Sequence, residues 1–292
     1  MSRGAAAVAL VYAVVLGALA AAGVTTFVDV PYAAWPAAAV LLVGAAAAFR
    51  AVVPLLWAVA GLALAGSCWV LLSLVELALT GAVTNRDGSP GWVAFAERLG
   101  LVAVSALFTA SAIAHRRRVH VHAAGVTCAF EHPEPHTAPP LVRRIADAGC
   151  AAFLPYFVLH FLGAAGVPGI EPHGFRPPWA AVLAGAAGIG LACFLLLGLV
   201  RPWGMVFPRW TVWLAGRRVP RFLPLAPVWL IAPTLALYGT GSFFYGLFSK
   251  YGVLGLGGAA SIAFAGYGWA LAIAAVSYQQ RTRPICRSFP TL

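Results

Sequence analysis

Apolar positions in this chain come in long runs, separated by short segments that hold most of the charges and prolines. A bilayer core about 30 Å thick takes roughly 20 apolar residues of helix. On that measure about eight runs qualify as transmembrane helices, near residues 4–23, 34–50, 53–80, 92–114, 147–167, 178–200, 222–247 and 256–278. The stretch from Ala33 to Thr80 carries only Arg50 and Glu76 as charges and is too long for one span. It divides at the turn from Arg50 to Pro54 into a short second run and a long third. The first run begins after Arg3 and reaches Ala18-Leu-Ala20, a pattern shared with cleavable signal peptides.

Internal similarity argues that this first run is retained. Leu10-Val-Tyr12-Ala-Val14 resembles Leu154-Pro-Tyr156-Phe-Val158, and Trp35 opens the second run as Trp179 opens the sixth. Trp57 with Leu62-Ala-Leu-Ala-Gly66 corresponds to Trp229 with Leu235-Ala-Leu-Tyr-Gly239. An even number of spans per half gives two parallel repeats, related by an axis along the membrane normal. The expected organisation is a four-helix transmembrane half over 1–117, a cytoplasmic linker containing Pro and His over 118–146, and a second four-helix half over 147–292 with a loop at 201–221.

Composition agrees with the runs. Charged residues make up 9% of the chain and hydrophobic residues 62%, against roughly 25% charged in soluble domains. So few charges cannot cover a soluble surface. The net charge is +11, and all but one of the 19 basic residues are arginine, the exception being Lys250. With the N-terminus inside, four basic residues face outward or lie in the outer leaflet (Arg86, Arg98, Arg176 and Lys250), and the rest face inward. The positive-inside rule then places both termini in the cytoplasm of a multi-pass protein of a bacterial inner membrane. Basic residues occupy every inward segment rather than one helix face, which argues against nucleic acid as a partner. No cysteine lies in an outward loop, so no disulfide is expected.

Ionisable groups at membrane depth are functional candidates because an unpaired charge in hydrocarbon is costly. Glu76, Glu97, Arg98, His160 and Lys250 form an outer-leaflet set. In one reading Glu76 and Arg98 pair and staple two adjacent helices, while Glu97 and Lys250 snorkel to headgroups. In the other, the set lines a polar cavity in which Glu76 or Glu97 relays a proton or cation with His160. Ala184 and Gly188, one turn apart in the sixth run, suit close helix packing. In the linker, His120, His122, Cys128, His132 and His136 carry donor types suited to zinc. Their spacing matches no common zinc motif, and the surrounding prolines read as a linker.

The loop Arg201-Pro-Trp-Gly-Met-Val-Phe-Pro-Arg-Trp-Thr-Val-Trp-Leu-Ala-Gly-Arg-Arg-Val-Pro220 concentrates arginine and tryptophan. Trp203, Trp210 and Trp213 suit the headgroup layer. Arg201, Arg209, Arg217 and Arg218 can contact anionic lipid at the cytoplasmic face. Pro202, Gly204 and Pro208 leave room for at most a short interfacial helix over 210–215. A protein partner docking on this loop is the further candidate. The motif RPWG…FPRW…GRRVP resembles loops of uncharacterised multi-pass integral membrane proteins of GC-rich actinobacteria. That resemblance implies membrane class and source, and brings no activity with it.

Three functional classes follow. A transporter or transport-associated protein is favoured by the repeat and the outer-leaflet charges. An intramembrane enzyme on a lipid or isoprenoid-like substrate would use Glu76 or Glu97 as acid or base. A non-catalytic scaffold or partner subunit would use the loop for docking. Signatures of nucleotide hydrolysis, serine hydrolysis and zinc proteolysis are missing from the sequence, so the reading leans away from an enzyme, and no cofactor is assigned.

Overall fold

The computed structural model describes residues 2–21, 40–46, 52–67, 69–84, 90–121, 128–131, 133–170, 178–248, 255–283 and 285–288. Helices run in the order α1 (Ser2–Ala21), α2 (described over residues 40–46), α3 (Val53–Gly66), α4 (Val70–Thr80), α5 (Trp92–Val121), α6 (Pro140–Ala151), α7 (Phe153–Ala164), α8 (Trp179–Val200), α9 (Phe222–Phe248) and α10 (Leu256–Arg281). Five helical segments are long and apolar enough to cross a membrane: Trp92–His115, Pro140–Ala164, Trp179–Val200, Phe222–Phe248 and Leu256–Arg281. The protein is therefore a helical membrane protein. It divides into two compact units, Met1–Val126 and Thr127–Leu292.

In the first unit α1 buries Ala6, Ala9, Ala13 and Leu16, one helical stripe. The stripe shares a core with Leu56, Val59 and Ala63 of α3 and with Leu101, Val104 and Phe108 of α5. Tyr12 leaves this stripe to donate its hydroxyl to the Glu97 carbonyl.

The long third run is not one helix. It stops at Gly66 and resumes at Val70. The Leu64 carbonyl receives both the Ser67 hydroxyl at 2.8 Å and the Ser67 N–H at 3.1 Å. A serine that bonds locally in this way competes with the helical ladder. At the far end, Gly81 closes α4 in the left-handed region, φ 72°, and its N–H returns to Leu77 at 2.9 Å. That conformation strongly favours glycine.

The second unit is built around α10, which packs along α9 and against α6, α7 and α8. Its core joins Phe153, Leu196, Leu199, Ala232, Tyr267, Leu271 and Tyr278. Helices α9 and α10 approach at backbone distance. A Cβ on Gly239 would stand 2.2 Å from the Ala265 nitrogen, and one on Gly268 would stand 2.3 Å from the Ala236 nitrogen. Small residues at such a seam let membrane helices gain close van der Waals contact. The sequence pointed instead to Ala184 and Gly188 on α8. Both are exposed, and a Cβ on Gly188 meets nothing within 4 Å.

Two boundaries shift. The fifth run begins at Pro140 rather than at 147, because α6 is amphipathic: Arg143, Arg144 and Asp147 are exposed while Ala146 and Gly149 are buried. It breaks before α7, where Pro155 has no N–H to offer the Ala151 carbonyl. Helix α5 likewise continues to Val121, so both ends of the expected linker are helical. The chain is all-α in class, with one short pairing outside the apolar helices. Strand β1 (Cys128–Glu131) pairs antiparallel with β2 (Ile285–Ser288), Cys128 opposite Ser288.

Candidate functional site

The loop at 201–221 is folded rather than trailing. It leaves α8 through a 3₁₀ turn at Pro202–Gly204 and returns antiparallel on itself. Phe207 N–H donates to the Arg217 carbonyl, Gly216 N–H to Phe207, and Val219 N–H to Met205, all at 2.9–3.0 Å. The turn at Pro202 is seated on the end of α8. A Cβ on Gly204 would stand 1.8 Å from the Gly198 carbonyl oxygen, so only hydrogen fits there. Trp203 stacks on Phe194 with ring centres 4.6 Å apart and lies over Gly198.

Helix ends supply the acceptors that hold the loop in place. The carbonyls of a helix's last turn have no partner within the helix and carry partial negative charge. Arg281 donates to the Leu199 carbonyl at the end of α8 and to the His136 carbonyl. Arg221 donates to the Gln279 carbonyl at the end of α10 at 3.1 Å and to the Thr282 hydroxyl at 3.0 Å. Tyr278, fully buried, donates its hydroxyl to the Gly204 carbonyl at 3.0 Å. Arg218 donates to the Pro133 carbonyl at 3.1 Å. Burial pushes the Arg221 guanidinium below its ordinary value, and the neighbouring Arg283 pushes it the same way.

The tip points outward. Trp213 is 88% exposed, Val212 74% and Trp210 68%, with Leu214 beside them. Arg201, Arg209, Arg217 and Arg218 are exposed around this apolar knob. Val212 sits at φ 41°, which a β-branched residue adopts only under strain. Two cavities flank the loop. One, about 420 Å³, is lined by Arg218, Arg221, Thr282 and Met205 among others. The second, about 280 Å³, is lined mainly by aromatic and aliphatic side chains, including Phe194, Trp203, Phe207, Trp210 and Ile231. Val219 lines both. Neither cavity has a carboxylate or histidine side chain among its described lining residues.

The outer-leaflet set is distributed differently. Glu76 accepts from the Thr84 N–H at 3.0 Å and from the Thr84 hydroxyl, which ties the carboxylate to the turn after α4. Arg98 donates to the Ser73 hydroxyl at 2.7 Å, one turn before Glu76, and so joins α5 to α4. Glu97 is buried in α5. His160 lies in the second unit with its ring edge-on to Tyr156 at 4.6 Å. Lys250 lies outside the described residues.

For the linker histidines, His136 is exposed and engages the Glu134 carbonyl at 2.9 Å. His120 falls in α5 and Cys128 in β1, while His122 and His132 lie outside the described residues. Among the described residues no group of three His, Cys, Asp or Glu side chains comes together to hold a metal ion.

Sequence reasoning missed Arg281, Tyr278 and Thr282 as parts of the loop platform. A basic residue in the last turn of α10 was the available signal. No family model, no curated protein and no solved structure matches this chain.

Proposed function

We propose that this is a non-catalytic multi-pass membrane protein whose working surface is the folded loop 201–221, which grips an anionic lipid surface. The single observation that carries this is the exposed apolar tip, Trp210 to Leu214, ringed by exposed arginines on a platform fixed by Arg221 and Arg281. Tryptophan favours the headgroup layer, and each arginine near an anionic surface contributes on the order of 1 kcal/mol. A rigid platform adds to this because little conformational freedom is lost on contact. The described lining of the two cavities holds no carboxylate or histidine, and the Tyr267 hydroxyl is engaged by the Ala192 carbonyl, which supports binding over catalysis. We further propose that all eight apolar runs cross a bacterial inner membrane, with this loop on the cytoplasmic side.

The contact is tested by quenching tryptophan fluorescence with brominated lipids in proteoliposomes. The difference between wild type and Trp210→Phe/Trp213→Phe isolates the tip. That component is expected to be quenched by shallowly brominated lipid, and more so when phosphatidylglycerol is included. A tip component quenched by aqueous acrylamide and indifferent to brominated lipid would overturn the reading. Orientation is read by impermeant thiol labelling of intact cells on a cysteine-free background. A cysteine at Asp87 should react and one at Arg217 should not.

A further inference from the structure

The platform contains more than a contact surface. Its two cavities differ in chemistry and meet at one residue. On one side of Val219, Arg218 and Arg221 line the space together with the Thr282 hydroxyl. On the other side the lining is aromatic and aliphatic, with Tyr267, Thr211, Trp203 and Trp210 as its polar-bearing side chains. Pairs of lining residues adjacent in sequence confirm that the cavities are neighbours: Gly204 faces one and Met205 the other, Leu223 one and Phe222 the other.

We infer that the two cavities form one site for a net-anionic, phosphate-headed amphiphile, its head on the Arg218 and Arg221 guanidinium groups and one chain beyond Val219. The class follows from charge and size. A guanidinium has five N–H donors in a planar fork suited to phosphate oxygens. Arg221 donates through Nε and Nη2 and Arg218 through Nη1 to the partners named above, and both side chains line the cavity. Arg283 adds positive charge beside Arg221. An anion placed between them relieves repulsion that burial makes stronger. Glu134, between the lining residues Pro133 and Pro135, is the nearby carboxylate in sequence, and it is exposed. The apolar cavity measures about 280 Å³, at the low end of the roughly 300–1,000 Å³ typical of ligand pockets. That suits one acyl or prenyl chain segment, not a two-chain lipid whole. The second chain of a phospholipid would remain in the bilayer.

This site rests on the lipid-contact reading of the same loop, but it makes a different demand: a countable lipid retained after the bilayer is removed. The full-length protein, purified in a neutral detergent, is incubated with dioleoyl phosphatidylglycerol, with dioleoyl phosphatidylcholine or with inorganic phosphate, and bound lipid is counted by native mass spectrometry. One phosphatidylglycerol is expected to be retained, with phosphatidylcholine held about tenfold more weakly, because its choline cation offsets the phosphate charge beside the two guanidinium groups. Arg218→Gln should remove that preference and Arg218→Lys should keep most of it. Arg221→Met is the stronger variant, but it also strips the α10 terminus, so Arg218 carries the test. Ile231→Phe, which fills the apolar cavity, should weaken both lipids alike. Equal retention of the two lipids by wild type would overturn the head assignment. A folded Arg218→Gln protein that keeps its selectivity would do the same. Retention of no lipid while the tip remains quenched by brominated lipid would overturn the site and leave the surface reading intact. Phosphate raising thermal stability as much as phosphatidylglycerol would remove the chain from the site.

Discussion

Two glycines on one helix should respond to the same substitution in opposite directions. Gly239 and Gly241 both lie in α9. In a helix interior, Gly→Ala contributes about 0.8–1 kcal/mol through backbone entropy and propensity. Gly241 is exposed and a Cβ there meets nothing within 4 Å, so Gly241→Ala should collect that gain. A Cβ on Gly239 would stand 2.2 Å from the Ala265 nitrogen, 2.7 Å from the Ser261 oxygen and 2.8 Å from the Ala265 Cα. Those are backbone atoms of α10 and cannot rotate aside. Ordinary contact lies near 3.5–4 Å, so the helices must part by roughly 1 Å or more at this point. Overpacking of this kind costs about 1–3 kcal/mol, and dispersion along the seam falls with it. The helix-propensity gain is common to both, so Gly239→Ala should unfold about 1–3 kcal/mol more easily than Gly241→Ala. Both variants would be titrated with sodium dodecyl sulfate in mixed micelles, with helicity followed by circular dichroism. Equal stabilities, within about 0.5 kcal/mol, would refute backbone contact between α9 and α10 as the source of the second unit's cohesion.

Other perturbations test other parts. Arg281→Met removes the donors to the carbonyls of buried Leu199 and exposed His136; a loss of about 1–3 kcal/mol is expected, read as a lower Tm in detergent, with Arg281→Lys intermediate. Gly81→Ala forces a Cβ into φ 72° and should cost about 1 kcal/mol, with Gly81→Asn milder in the same assay. Val212→Gly relaxes φ 41° in the exposed tip and should stabilise by up to about 1 kcal/mol while weakening the brominated-lipid quenching of the tip. Ser67→Ala removes the hydroxyl that competes for the Leu64 carbonyl; slower amide exchange at residues 67–70 is the expected result.

Helices that are long and uniformly apolar were legible because hydropathy alone marks them. The observed Trp179–Val200, Phe222–Phe248 and Leu256–Arg281 lie within a few residues of the runs read at 178–200, 222–247 and 256–278. Features set by one side chain were not. The break at Ser67 depends on which way a single hydroxyl turns, and hydropathy averages over it. The early start of α6 was hidden because Arg143, Arg144 and Asp147 look like loop when charge is counted without regard to face. Pairing of Cys128–Glu131 with Ile285–Ser288 joins segments far apart in the chain, and neither reads as a strand alone. The hydrogen bond from Arg98 to Ser73 was not readable, because Ser73 has no charge to announce it.

The arginines of the loop region illustrate why counting charges and assigning their work are separate steps. Topology rules treat every cytoplasmic arginine as equivalent. Here they divide by what accepts their protons. Arg221 and Arg281 spend donors on carbonyls at the ends of α10 and α8, positions fixed by helix geometry whichever way the chain is inserted. Such residues would be needed in either orientation, so they carry little information about it. Arg201, Arg209 and Arg217 are exposed, and so is Arg218, which donates to the Pro133 carbonyl. These are the residues whose side a surface potential can select. At Arg281 the guanidinium suits its place, because its two terminal nitrogens donate from one rigid plane to carbonyls on separate segments, Leu199 and His136. The platform and the surface it presents are thus made by one residue type used in two ways. Substituting the exposed group should change lipid preference, and substituting the half-buried pair should change whether there is a loop to present.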